Sequence, residues 1–167
     1  FAAALPFVRY VQLINGDAMA LHQDPQVRGF VVTLLILVAV IVLVLQSRDA
    51  GPLEQSIREG LFNITSIISG TGYSSVNYML WGPFAIALCF FIGLIGGCAG
   101  STACSIKIFR YQLLFASIRA QLRRIRSPHG IFTPRYDGSP VGPDVLVSVM
   151  SFFMFFTVTL GMLSVAL

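Results

Sequence analysis

The run Gly70-Thr71-Gly72-Tyr73 offers little side-chain chemistry, but its backbone could bind a cation. Glycine adopts positive φ angles that other residues resist, so a loop containing Gly72 can expose consecutive carbonyl oxygens. Rings of carbonyls of this kind replace the hydration shell of a dehydrating cation such as K⁺, and the C-terminus of a preceding helix adds negative potential. Tyr73 is then expected to pack outward as a strut. The tetrapeptide alone is more typical of a surface turn. The elements on either side of it must therefore decide between a surface turn and a pore loop.

A second candidate is a glycine-rich run inside a long apolar stretch from residue 81 to about residue 103. Its glycines are Gly93, Gly96, Gly97 and Gly100. Glycines four residues apart are typical of close helix packing, whereas a break in the helix would leave a flexible polar loop able to act as a gate. The spacing leaves both alternatives open. It excludes a phosphate-binding loop, because no Gly-Lys-[Ser/Thr] follows. Lys107 lies near the membrane boundary, where a cation marks an ion pathway or extends to the interface.

The composition indicates that lipid surrounds much of the chain. Of 167 residues, 56% are apolar and 11% are charged, whereas about 25% are charged in a typical soluble domain. This excludes an ordinary soluble enzyme and a disordered chain. The net charge of +4 does not indicate nucleic-acid binding, because the basic residues adjoin apolar runs, as membrane topology signals do.

Three apolar runs predict membrane-crossing helices around a shorter, more polar helix. Asp24-Pro25 is typical of a helix start, and residues 29–45 carry only Thr33 as a polar side chain. The other two runs are residues 81–103 and 145–167. Between the first two runs, residues 53–68 have apolar side chains at helical spacing but are too short and polar to cross. The predicted stripe consists of Leu53, Ile57, Leu61, Ile64 and Ile68.

The distribution of basic residues predicts the topology. Nine of the eleven Lys and Arg residues lie in residues 1–28 and 104–143, which are therefore expected on the cytoplasmic side. The half-polar helix and the Gly70–Tyr73 run then form a re-entrant loop between two crossings. This setting favours a pore loop over a surface turn, because non-helical backbone at membrane depth needs a cavity or surrounding protein.

The remaining side chains argue against a catalytic role. His22 and His129 both lie in predicted cytoplasmic segments, and the predicted spans contain no Asp or Glu. Cys89, Cys98 and Cys104 are expected to be buried free thiols, because an odd count without framework spacing suggests no disulfide or metal. The alternative function is that of a membrane assembly protein that transports nothing. In that case the Arg-rich helix over residues 107–126 would serve only as an anchor or as a surface for a partner.

Two stretches resemble the TrkH branch of the Trk/Ktr/HKT potassium transporter superfamily, and with the surrounding spans the resemblance covers essentially the whole chain. The first is Phe62-Asn63-Ile64-Thr65-Ser66 leading into Gly70-Thr71-Gly72-Tyr73-Ser74. The second, more specific one is Gly96-Gly97-Cys98-Ala99-Gly100-Ser101-Thr102-Ala103 with Ser105-Ile106-Lys107-Ile108-Phe109-Arg110. Two positions depart from the family pattern: Gly70 stands where threonine is usual and is expected to loosen the filter, and Cys104 stands where glycine is common and is expected to stiffen the gate.

The resemblance implies an all-α integral membrane protein with four membrane–pore loop–membrane units fused around a pore. This chain would be a fragment around the third unit, with residues 1–28 as connector, 29–125 as the unit, 126–143 as cytoplasmic linker and 144–167 as the first helix of the fourth unit. It implies a K⁺ filter formed by the carbonyls of Gly70, Thr71, Gly72 and Tyr73, which we call the candidate filter. It also implies a gate in residues 96–105, which we call the glycine-rich loop, with Gly96, Gly97, Cys98, Ala99, Gly100, Ser101, Thr102 and Lys107 as gate residues.

The same resemblance implies the partners. K⁺ would be the transported ion, with no prosthetic group. The remaining pore units would come from the same full-length chain, which would form a homodimer in the inner (plasma) membrane. A cytoplasmic nucleotide-binding ring resembling TrkA would regulate opening. One chain with a single filter quarter is not expected to conduct alone.

Overall fold

The computed structural model describes residues 1–16, 19–48, 51–126, 134–136 and 138–166. Their contacts divide the chain into two compact units, Phe1–Ile108 and Phe109–Leu167. Two one-turn 3₁₀ helices, Ala2–Ala4 and Tyr78–Trp81, accompany the main elements. In chain order these are α1 (Phe7–Ile14), α2 (Ala20–Gln23), α3 (Pro25–Gln46), α4 (Leu53–Ser69), α5 (Pro83–Gly93), α6 (Ile108–Arg126), β1 (Arg135–Tyr136), β2 (Ser139–Pro140) and α7 (Pro143–Ala166).

Helix α3 confirms the predicted helix start. Asp24 is the N-cap, its carboxylate accepts a hydrogen bond from the Gln26 amide at 2.8 Å, and Pro25 takes the first helical position. With 22 residues the helix is about 33 Å long. One face is buried at a spacing of three or four residues, at Val27, Phe30, Leu34, Val38, Ile41 and Leu45. Helices α3 and α7 are the two in the described part of the chain that are long and apolar enough to cross a membrane.

Helix α4 packs against α3 partly through small residues. Ser56 and Gly60 are buried. A methyl group built on Gly60 would lie 3.4 Å from Val42 Cγ2, which is van der Waals contact, so the two helices lie close together at this point. The Gln46 amide at the end of α3 donates to Ser56 Oγ at 3.0 Å, which ties the two helices together.

The apolar stripe of α4 is buried at only two of its five residues. Leu53, Ile57 and Leu61 are exposed, whereas Ile64 and Ile68 are buried. The Val- and Ile-rich surface of α3 already supplies the apolar contact, so the partner face of α4 needs small side chains. Hydrophobic periodicity therefore identified the helix correctly but does not by itself give the face that is buried.

Helix α5 is shorter than the apolar run that contains it. It ends at Gly93 after 11 residues, about 16 Å, and residues 94–107 are not helical. The alternative in which the glycines pack a continuous helix is therefore wrong, because Gly96, Gly97 and Gly100 lie outside any helix. Cys89 and Cys98 are buried free thiols as predicted, but Cys104 is exposed.

The second unit contains α6, the β1–β2 pair and α7. The strands are antiparallel, with Tyr136 opposite Ser139, and this short pair is a departure from an all-α chain within the predicted linker. The Arg110 guanidinium lies 3.6 Å from the centre of the Phe152 ring, close enough for a cation–π contact between α6 and α7. His129 and Leu167 lie outside the described residues.

Candidate cation site and glycine-rich loop

The candidate filter begins at a helix C-terminus of defined geometry. The Thr71 amide donates to the Ser66 carbonyl at 3.0 Å and the Gly70 amide donates to the Ile67 carbonyl at 3.1 Å. Gly70 has φ +71°. This pair of bonds around a left-handed residue is the Schellman motif, in which glycine is strongly favoured. The unusual Gly70 therefore caps α4 in a fixed conformation here, in contrast to the loosening expected from its type.

Gly72 adopts the positive φ that the sequence predicts for it. Its φ is +79°, and a methyl group built there would meet no atom within 4 Å. Glycine is thus required at this position by backbone conformation and not by space. The hydroxyls of Ser69 and Thr71 form a short hydrogen bond beside it. Tyr73 is 74% exposed, so the expected strut contact is not made among the described residues.

Asn63 holds the chain just beyond the candidate filter. Its side chain is 1% exposed. The Asn63 amide donates to the Glu59 carbonyl at 2.8 Å and to Ser75 Oγ at 2.9 Å, while its oxygen accepts from the Ser75 amide at 3.2 Å. The segment between the α4 cap and Ser75 is therefore fixed at both ends. The sequence showed Asn63 as part of the first family-like stretch but gave no sign of its partner.

Replacing Asn63 with leucine is expected to lower both stability and cation selectivity. The variant would remove the hydrogen bonds between the Asn63 side chain and the Ser75 amide and hydroxyl, and each such bond contributes about 0.5–1.5 kcal/mol. The matched control is Asn77→Leu, because Asn77 accepts from the Met79 amide in the same loop but is exposed. Thermal unfolding and K⁺/Na⁺ competition in the full-length protein check this, and equal selectivity in both variants would contradict the role of Asn63.

An open groove runs along the outer face of α4 to the candidate filter. It has a volume of about 730 Å³, and Ile57, Leu61 and Tyr73 contribute to its lining. The hydroxyl of Ser66, a residue 7% exposed, also lines the groove and finds no hydrogen-bond partner within the described part of the chain. The exposed residues Ile57, Leu61 and Phe62 of α4 thus face this groove.

The glycine-rich loop folds back on itself after α5. The Gly96 amide donates to the Ile106 carbonyl at 2.8 Å, and the Ile106 amide donates to the Leu94 carbonyl at 3.1 Å. A methyl group at Gly96 would overlap the Cys104 carbonyl. Only glycine therefore permits the two arms of the loop to approach this closely.

Lys107 closes the base of the loop. Its ammonium donates to the Ser101 carbonyl at 3.0 Å and also to the Ala103 carbonyl. Ser101 Oγ donates to the Cys98 carbonyl at 2.6 Å, which tightens the turn. A lysine ammonium has three donors and no acceptor, so loop carbonyls are suitable partners for it in apolar surroundings. The predicted gate residues are therefore brought together into one compact loop.

The end of the glycine-rich loop lies against the start of the candidate filter. A methyl group built on Gly70 would lie 3.6 Å from the Cys104 amide nitrogen and 3.8 Å from Cys104 Sγ. The structure thus places the two predicted sites next to each other. Cys104 is the residue of the loop that meets the filter.

Three further residues that hold the loop were missed by sequence reasoning. The Cys98 amide donates to the Ala4 carbonyl at 2.9 Å, the Thr102 amide donates to the Ala3 carbonyl at 3.2 Å, and the Ala99 amide donates to the Gln26 side chain at 2.9 Å. The first two contacts use only backbone atoms, so no residue type signals them. Gln26 is an ordinary first-turn helix residue, and nothing in its spacing connects it with Ala99.

Comparison with known proteins identifies the family. The model of the TrkH family, described as a cation transport protein, matches residues 15–167. The chain belongs to the TrkH family. TrkH proteins are membrane transport proteins, in agreement with the expected absence of a catalytic role.

Individual TrkH-family relatives match nearly the whole chain. It is 37% identical to the Trk system potassium uptake protein TrkI of Halomonas elongata over 98% of its length, covering 33% of that protein. It is 31% identical to the Trk system potassium uptake protein TrkH of Vibrio parahaemolyticus over 78% of its length, covering 27% of that protein. The chain therefore spans about a third of the length of the relatives it matches.

A solved structure shares the TrkH fold. The crystal structure of the potassium transporter TrkH from Vibrio parahaemolyticus superposes with a TM-score of 0.88 at 25% identity. The match covers 94% of this chain and 34% of that one. A helical membrane protein of TrkH architecture is thus supported by the family match, the relatives and the fold.

Proposed function

We propose that this chain is part of a potassium uptake pathway in which the carbonyls of residues 70–73 select K⁺. The observation that carries the proposal is the fixing of this loop at both ends, by the Schellman motif and by Asn63. A carbonyl filter requires a backbone held in one conformation, because the oxygens must replace water around the ion without collapsing. The names of the relatives, potassium uptake proteins, support K⁺ as the transported ion.

The glycine-rich loop is the gate in this proposal. It lies against Gly70 through Cys104, it is not helical, and hydrogen bonds to Ala3, Ala4 and Gln26 hold it in place. An irregular segment of this kind can open locally without unfolding a helix. The gate residues are those of the loop from Gly96 to Thr102, together with Lys107.

The pathway requires partners beyond this chain. The other pore units would come from the rest of the full-length protein, of which this chain would be the third unit and the first helix of the fourth. That protein would lie in the inner membrane as a multi-pass homodimer, with residues 1–28 and 104–143 in the cytoplasm. A TrkA-like nucleotide-binding ring would regulate it there. The charge distribution supports the topology, and the family resemblance supports the partners.

Rb⁺ uptake into liposomes containing the full-length protein tests the proposal. We expect uptake that K⁺ inhibits strongly and Na⁺ weakly. Deletion of residues 97–102 should raise the initial rate severalfold, because Gly96 and Ala103 can be joined while the loop that closes the pathway is removed. Uptake no higher than in empty liposomes would favour a non-transporting assembly protein. An unchanged rate after the deletion would contradict the gate.

A further inference from the structure

The glycine-rich loop is held by the N-terminal segment, which we define as residues 1–14. The carbonyls of Ala3 and Ala4 accept the amides of Thr102 and Cys98, and the Phe7 amide donates to the Gly100 carbonyl at 3.2 Å. A methyl group at Gly97 would lie 2.6 Å from the Ala4 carbonyl oxygen. The two backbones are therefore in direct contact, and displacement of either one disturbs the other.

The N-terminal segment is in turn attached to the first turn of α3. Arg9 Nε lies 2.7 Å from a carboxylate oxygen of Asp24, which is 5% exposed. The other carboxylate oxygen accepts the Gln26 amide. Because a buried carboxylate requires such partners, the ion pair and the helix cap stabilise one arrangement of α1 against α3.

Gln26 connects this turn to the glycine-rich loop. Its side-chain oxygen accepts the Ala99 amide at 2.9 Å, across 73 residues of sequence. The backbone contacts with Ala3 and Ala4 join two irregular segments, whereas Gln26 projects from a 22-residue helix. Its hydrogen bond therefore gives the loop a rigid reference point, and Gln26 is a side chain that can be changed without altering a glycine or the backbone.

We propose that Gln26 is a positioning residue for the gate: it holds residues 96–105 in the closed arrangement by accepting the Ala99 amide. This inference rests on the proposed function, in which that loop gates cation flux. When the acceptor is lost, the Ala99 amide remains unpaired in the closed state but can be hydrated in an open one. Loss of a single hydrogen bond shifts such an equilibrium by about two- to tenfold.

Gln26→Met in the full-length protein tests the effect on flux. Methionine keeps an unbranched side chain of similar length and removes the acceptor. The matched control is Gln23→Met, because Gln23 is exposed at the end of α2. We expect Rb⁺ uptake to rise by about two- to tenfold in Gln26→Met and to stay at the wild-type rate in Gln23→Met.

Thiol labelling of Cys98 provides a readout independent of flux. Cys98 is 0% exposed and precedes Ala99, so it reacts only when the loop leaves its position. In a background with every other cysteine of the full-length protein replaced, Gln26→Met should raise the labelling rate by a factor similar to that for flux. Gln23→Met should leave the rate unchanged. Slow labelling in folded Gln26→Met protein would overturn the inference.

The deletion of residues 97–102 separates failure of this inference from failure of the proposed function. If the deletion leaves Rb⁺ uptake unchanged, the loop is not a gate and the proposed gating fails. If the deletion raises uptake but Gln26→Met behaves as wild type in uptake and labelling, only the role of Gln26 is overturned. Faster labelling with unchanged uptake would also overturn it, because the loop would then move without gating.

Discussion

Replacing Gly72 with alanine is expected to lower the K⁺/Na⁺ preference of the full-length protein about tenfold. Gly72 has φ +79°, and a residue with a Cβ atom loses about 1–2 kcal/mol in that region. Since no atom lies within 4 Å of the added methyl group, the chain can relieve the strain only by rotating the peptide units on either side. Those peptide units carry the proposed filter carbonyls. The measurement is Rb⁺ uptake with competing K⁺ or Na⁺.

Gly16→Ala is the matched control for Gly72→Ala. Gly16 also has a positive φ, +100°, and an added methyl group there would likewise meet no atom within 4 Å. Alanine at position 16 is therefore expected to cause backbone strain similar to that of alanine at position 72, but Gly16 lies outside the candidate filter. We expect wild-type selectivity in Gly16→Ala. Equal selectivity in the two variants would show that the carbonyls of residues 70–73 do not choose the ion.

Attachment of a bulky cationic group to Cys104 is expected to block cation flux almost completely. Cys104 is exposed, and its sulfur lies 3.8 Å from a methyl group built on Gly70. A positive charge attached there would lie beside the candidate filter, where it repels an approaching K⁺ in surroundings of low dielectric constant. A methanethiosulfonate reagent with a quaternary ammonium group, applied to the reconstituted full-length protein, provides the measurement.

The comparison that isolates this effect is Cys104→Ser. Cys89 and Cys98 are buried and should react slowly, so the variant should keep its own untreated transport rate when the reagent is added. A neutral reagent of similar size should block less than the cationic one. Equal inhibition of wild type and Cys104→Ser would show that the blocking thiol lies elsewhere and that Cys104 does not border the pathway.

Local signals predicted the elements of the chain well. The Asp24-Pro25 pair marked the start of α3, and the loop residues after Ile68 marked the end of α4. Each of these signals acts over a few residues, because caps and turns are formed by neighbours in sequence. The positive φ of Gly72 was likewise predictable from its residue type and position.

Contacts between distant segments were not predictable in the same way. The periodicity of α4 did not give its buried face, because an exposed Leu53 and a buried Ser56 follow from the packing of the helix and not from hydrophobicity. The loop after Gly93 was one of two open alternatives, since glycine spacing suits both packing and a break. The loop amides of Cys98 and Thr102 donate to the carbonyls of Ala4 and Ala3, and these are backbone groups that nearly every residue carries.

The position of a bound cation that substitutes for K⁺ shows most directly whether the carbonyls of residues 70–73 form the filter. The measurement is the anomalous difference density in crystals of the full-length protein grown with Rb⁺ or Tl⁺. We expect a peak coordinated by main-chain carbonyl oxygens of residues 70–73. An occupied cation site in the pore without any ligand from these residues would contradict it.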